Sequence, residues 1–83
     1  MPEIIIYTTS FCPYCIAAKR MLKKKGAKFT EINVTSQSIR NEMISKSNGK
    51  HTVPQIFIDQ RHIGGFDDLS ELDALEELDP LLA

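Results

Sequence analysis

The run Ile4-Ile5-Ile6-Tyr7-Thr8-Thr9-Ser10-Phe11-Cys12-Pro13-Tyr14-Cys15, carried on by Ile16-Ala17-Ala18-Lys19-Arg20-Met21-Leu22, changes its hydrophobic period partway along. Up to Thr8 it is unbroken, β-branched and aromatic, which reads as a short buried strand; Thr9, Ser10 and Phe11 then turn. From Pro13 the spacing is helical, with Cys15, Ala17, Ala18, Met21 and Leu22 to one side and Lys19, Arg20, Lys23 and Lys24 to the other. Pro13 suits the first helical position, where its missing N–H has no intrahelical partner to lose, and Gly26 suits the stop.

Outward from this unit, Phe29 to Val34 alternates apolar and polar as a second strand. A Ser/Thr/Gln segment leads into a second helix near Ser38–Lys46, with Ile39, Met43 and Ile44 inward and Ser47-Asn48-Gly49 at its end. Val53 to Ile58, a tight turn at Asp59-Gln60, and Arg61-His62-Ile63 make a hairpin that breaks at Gly64-Gly65. From Phe66, Leu69, Leu72, Leu75 and Leu78 recur at steps of three in a final helical region ending around Asp79-Pro80. The order predicts an α/β protein: a right-handed parallel βαβ unit to which the hairpin adds antiparallel strands, giving one four-stranded mixed sheet flanked by helices.

A chain of 83 residues buries only about 63% of its unfolded surface, so residues 1–83 are expected to form one small domain. Apolar and charged fractions of 42% and 25% are those of ordinary globular chains and argue against disorder or a fibrous repeat. The longest apolar run, Ile4 to Tyr7, is far short of the roughly 20 residues that cross a bilayer, and no basic segment precedes an apolar one at the N-terminus. A cytoplasmic protein with no membrane partner is expected. The net charge of −1 conceals a division: ten bases face four acids in residues 1–66, and seven acids face no base in 67–83. Lysines 23–25 closing one helix and Asp67-Asp68 opening another account for much of it through the helix dipole. No aromatic or glycine pattern of a nucleic-acid module accompanies the lysines, so no nucleic-acid partner is expected.

Two cysteines placed at random in 83 residues fall three apart in roughly 2% of pairings, and here the pair also sits where a helix starts. Unpaired backbone N–H groups and the positive dipole end at such a start favour thiolate over thiol. Thiols of this kind reach pKa values of about 3.5–7.5, against about 8.5 for free cysteine. Cys12 is therefore read as the nucleophile and Cys15, one turn inside, as a shielded resolving thiol. A structural zinc site needs four ligands, and His51 and His62 stand at a spacing that matches no usual finger; both read as surface residues. A purely structural disulfide closing so short a loop would remove little unfolded-state entropy. An iron–sulfur cluster would have to bridge two chains, because one Cys pair cannot supply four ligands.

Cys12-Pro13-Tyr14-Cys15 after a strand, Thr52-Val53-Pro54-Gln55-Ile56-Phe57, and Gly64-Gly65-Phe66-Asp67-Asp68-Leu69 resemble, in order and spacing, the three signature segments of the dithiol glutaredoxins. The likeness runs over essentially the whole chain. It implies a thioredoxin-like fold with a cis Val53-Pro54 bond facing the thiols. It implies a glutathione-dependent thiol–disulfide oxidoreductase, a cytoplasmic monomer acting through Cys12 and Cys15 on glutathionylated proteins and protein disulfides. Glutathione is then the electron donor, with no metal and no permanently bound cofactor. The residues implied to hold glutathione are Tyr14, Thr52, Val53, Pro54, Gly65, Phe66, Asp67 and Asp68. Pro54 would open a strand without donating an N–H, leaving the Val53 backbone free for an extended peptide beside Cys12. The N–H groups of the Gly65–Asp68 turn would meet the γ-glutamyl carboxylate and Asp67 or Asp68 its ammonium, with N-capping the ordinary role for one of these acids.

The sequence departs from the family at Thr9, where many members carry a lysine, and Arg40 or Lys50 is the candidate replacement for the glycine carboxylate of glutathione. Tyr14 is expected to wall the groove. Two rivals are less compatible with the residues. A redoxin fed by thioredoxin reductase tends to lack the Asp67-Asp68 pair, and a cluster-carrying dimer usually has Gly or Ser where Pro13 stands.

Overall fold

Ile4 and Ile6 face one apolar cluster while Ile5 and Tyr7 face another, because successive side chains of a strand point to opposite sides. A strand with two apolar faces has to be covered on both. In the computed structural model, which describes residues 2–83, this strand, β1 (Ile4–Thr8), is one of the two central strands of the sheet. It pairs in parallel with β2 (Thr30–Asn33) and antiparallel with β3 (Gln55–Ile58). β4 (Arg61–Gly64) adds antiparallel to β3, so the order is β2-β1-β3-β4. The architecture is the four-stranded mixed sheet flanked by helices that the sequence predicts.

Helix α1 (Pro13–Lys24) lays Ala18 and Leu22 on the Ile4/Ile6 face, where Leu69 of α3 (Phe66–Ala74) and Leu78 of α4 (Leu78–Leu82) join them. Helix α2 (Gln37–Lys46) covers the other face with Met43, against Tyr7, Val34 and Phe57. Met43, Leu22, Leu69 and Leu78 are fully buried; cutting such a side chain back to alanine costs about 2–5 kcal/mol. Tyr7 meets Phe57 edge to face at 5.9 Å.

The C-terminal region is two helices, not the single one that the leucine spacing suggested. After Ala74 the Glu77 N–H bonds the Leu72 carbonyl and the Glu76 N–H that of Asp73, with Glu76 left-handed at φ 60°. That is a helix-ending motif usually built on glycine. Leu75 is left exposed, and Lys25 pairs with Asp73 at 2.5 Å and Asp79 at 2.9 Å, tying both sides of the break to the end of α1. Pro80 lies inside α4 at its third position, where no N–H is needed. No helix among the described residues is long and apolar enough to cross a membrane.

Candidate active site

Strand β1 ends at Thr8, and the chain turns through Phe11, which takes a left-handed φ of 60° and is almost wholly exposed. Cys12 follows in an extended conformation as the N-cap of α1. Its Sγ accepts the Cys15 N–H at 3.1 Å, so the sulfur occupies the place an oxygen takes in an ordinary cap. Both cysteines are free thiols. Cys15 is 1% exposed against 9% for Cys12. Burial pushes the Cys15 thiol up to about 12, and its hydrogen bond to the Cys12 sulfur adds to the effect. Cys12 thus sits at the helix mouth, while Cys15 is shielded and protonated at neutral pH.

The Val53 carbonyl lies 3.9 Å from Cys12 Sγ. The Val53-Pro54 bond is cis, and Val53 makes no main-chain hydrogen bond to the described residues. Beside it runs an open groove of about 380 Å³, within the range of small-molecule sites. Its walls include every recognition residue singled out in the sequence: Tyr14, Thr52, Val53, Pro54, Gly65, Phe66, Asp67 and Asp68. The Tyr14 and Phe66 rings stack at 6.5 Å, joining α1 to α3 across one end.

Of the two acids, Asp68 is engaged as a cap: its Oδ2 accepts the Gly65 N–H at 3.0 Å. Asp67, exposed on the groove wall, has no hydrogen-bond or ion-pair partner among the described residues. Gly64 makes room for that cap. It has φ 118°, and a Cβ there would collide with the Asp68 carboxylate. Of the two candidate cations, Lys50 lines the groove. Arg40 instead donates to the His51 carbonyl at 3.2 Å.

Two residues escaped the sequence reading. Gln55, the first residue of β3, also lines the groove although it is 1% exposed. His62 is not a free surface residue but half-buried, tilted against the Phe57 ring at 5.1 Å and bonded to Gln55 at 2.7 Å. The glutamine inside an otherwise apolar strand, Gln55-Ile56-Phe57-Ile58, was the available signal, since a buried amide requires partners. No cluster of three His, Cys, Asp or Glu side chains suited to a metal occurs among the described residues.

The family model described as Glutaredoxin matches residues 4–63. The chain is 50% identical over 82 residues to glutaredoxin 3 of Escherichia coli (strain K12), covering 99% of each. Among solved structures, a glutaredoxin from Brucella melitensis is 47% identical with a TM-score of 0.87, over 99% of this chain and 89% of that one. A buckwheat glutaredoxin–glutathione complex superposes with a TM-score of 0.89 at 27% identity, over 98% of this chain and 76% of the buckwheat chain.

Proposed function

This chain belongs to the glutaredoxin family and is a glutathione-dependent thiol–disulfide oxidoreductase; from that premise we propose that Cys12 is its nucleophile, Cys15 its resolving thiol, and the groove from Tyr14 to Asp68 its glutathione site. The observation that carries this reading is the placement of Cys12 Sγ at the open end of α1, 3.9 Å from the Val53 carbonyl at the groove's edge. In deglutathionylation the Cys12 thiolate attacks the glutathione sulfur of the mixed disulfide, and the protein thiolate leaves and takes up a proton. A second glutathione thiolate then attacks the glutathione sulfur on Cys12, releasing oxidised glutathione and restoring the Cys12 thiolate. With a protein disulfide, Cys12 forms the mixed disulfide and frees one substrate thiol. Cys15 loses its proton, attacks Cys12 and frees the other; two glutathiones reduce the resulting Cys12–Cys15 disulfide.

Within the groove, Val53 offers a backbone free of main-chain partners to the cysteinyl portion of glutathione, and Tyr14 and Phe66 wall the apolar side. The first N–H groups of α3 take the γ-glutamyl carboxylate, Asp67 its ammonium, and Lys50 the glycine carboxylate. The chain acts as one domain, a cytoplasmic monomer whose partners are glutathionylated proteins and protein disulfides. Exposed Phe11, Tyr14 and Ile16 give these an apolar face to approach.

The test is turnover of a glutathionylated peptide coupled either to glutathione with glutathione reductase or to thioredoxin reductase. Activity is expected only with the first and is expected to vanish in Cys12→Ser. Equal turnover with thioredoxin reductase would refute the assignment of the groove.

A further inference from the structure

Gln55 is a buried amide whose hydrogen bonds all have identified directions. Its Nε2 donates to the Thr52 carbonyl at 2.9 Å and to Thr52 Oγ1 at 3.3 Å. A carbonyl oxygen only accepts, so the amide must present its NH₂ to Thr52 and its Oε1 to His62, 2.7 Å away. His62 Nε2 must then carry the proton. That leaves Nδ1 as an acceptor, and Asn48 Nδ2 stands 3.4 Å from it. The chain of bonds is polarised throughout, from Asn48 to His62 to Gln55 to Thr52. Burial and the Lys50 charge lower the His62 pKa, with Asp68 opposing, and so favour the neutral ring that this polarity requires.

The hairpin puts these groups together. Asp59 and Gln60 both have positive φ, 49° and 69°, as a two-residue turn demands, and this sets Ile58 opposite Arg61 and Phe57 opposite His62. Opposed residues share a face, and so do residues two apart, so His62, Phe57 and Gln55 all point to the α2 side. The register shift that follows, between Ile56 and Phe57, sets Gly64 opposite Ile56, directly before the Gly65 that caps α3.

The endpoint of the chain is what gives it a function. In a trans peptide the C=O and N–H point to opposite sides of the chain, and the Thr52–Val53 bond is trans. A Thr52 carbonyl held inward by Gln55 therefore sends the Val53 N–H outward, toward the groove. We propose that His62 and Gln55 are positioning residues that fix the Thr52–Val53 peptide plane, and hence the Val53 N–H, for the peptide backbone of glutathione. The proposal rests on the reading of the groove as the glutathione site. Neither residue touches the reacting sulfurs, so their loss affects binding of the glutathione moiety more than the exchange step.

The variants to compare are His62→Leu, His62→Gln and Gln55→Met, assayed with a glutathionylated peptide. Losing one link should raise KM about three- to tenfold while kcat stays within about twofold. His62→Gln should restore most of the affinity, because its amide can donate to Gln55 and accept from Asn48 as the ring does. The double variant His62→Leu/Gln55→Met should be no worse than Gln55→Met alone, since both cut one chain. A matching fall in kcat, no rescue by glutamine, or additive losses would overturn the proposal. In the wild-type protein, nitrogen-detected NMR should find the neutral His62 proton on Nε2, and a proton on Nδ1 would refute the polarity even if His62→Leu failed to fold. If the wild type processes the same peptide equally well capped by cysteamine, the groove assignment itself fails. If the wild type discriminates and His62→Leu discriminates as well, only the positioning role fails.

Discussion

Cys12 owes its helix-mouth position to neighbours within three residues, the Pro13 that opens α1 and the Cys15 N–H 3.1 Å from its sulfur, and meets only at its edge the distant Val53 carbonyl, 3.9 Å away. The groove beside it joins Thr52–Gln55 to Gly65–Asp68 and depends on a hairpin register, a bulge and a helix cap to bring them together. The thiol end is therefore a local device and the groove a tertiary one. Loss of the nucleophile at the first should stop chemistry outright and leave recognition standing; damage to the second should weaken recognition by degrees.

The two cysteines give the largest effects. Cys12→Ser should abolish every activity, because a serine hydroxyl is hardly ionised at neutral pH and forms no mixed disulfide. Cys15→Ser should keep deglutathionylation, where glutathione resolves the adduct, yet be impaired on intramolecular protein disulfides, where the stalled Cys12 adduct has lost its nearby thiol. Rates on the two substrate types separate these outcomes. Equal loss of deglutathionylation in both variants would make Cys15 obligatory and collapse the distinction between the thiols.

Next come the two acids of α3. Asp67→Ala should lower the rate at limiting glutathione by about one to two decades, the value of a charged hydrogen bond, and leave melting nearly unchanged. Asp68→Ala should instead cost about 1 kcal/mol of stability as a lost cap, with the smaller kinetic effect. If the kinetic ranking were reversed, the cap and the ammonium contact would have to change places between these residues.

Gly64→Ala probes how tightly the groove depends on that cap. The new methyl would meet the Asp68 carboxylate at a φ of 118° that L side chains rarely adopt. A penalty of about 1–3 kcal/mol is expected, read as a lowered Tm together with a raised KM for glutathionylated peptide. Unchanged KM at lowered Tm would mean that the Gly64–Gly65 turn serves the fold alone.

This division also governs how much could be read from the chain. β1, the start of α1, and the places of Cys12 at its mouth and Cys15 one turn inside were legible because each depends on residues a few positions apart. The eight groove residues were reached through resemblance to known signature segments, not through their physics. Gly26 and Glu76 mark the limit at helix ends: both close a helix with a left-handed residue, at φ 75° and 60°, but only the glycine announces it. Leucines at steps of three fit one helix or two, and the break between them depends on the Leu72–Glu77 bond and on Lys25 reaching Asp73 and Asp79. His62 looked like a surface residue for the same reason. Its burial follows from which face the Asp59-Gln60 turn assigns to it, and that is a matter of register.

The smallest effect belongs to the thiol side, where Thr8, at the end of β1, donates to Glu31 Oε2 at 2.6 Å and Lys19 of α1 donates to the same oxygen at 2.9 Å. The Thr8 hydroxyl first, and Lys19 second, hold the Glu31 carboxyl below its ordinary 4.5. A carboxylate whose folded pKa is depressed contributes stability that is fully present above its unfolded value and disappears as pH falls through the folded one. Glu31 is exposed, so solvent screens the pair and the contribution should be a few tenths of a kcal/mol to about 1. Glu31→Gln should thus melt slightly below the wild type at pH 7, and the difference should shrink as the pH is taken below 4.5. Because the contact holds β1 to β2 and α1 without reaching the groove, KM for glutathionylated peptide should not move. A KM shift comparable to that of Asp67→Ala would show that the thiol end and the groove are mechanically coupled, against the local character assigned to the thiols.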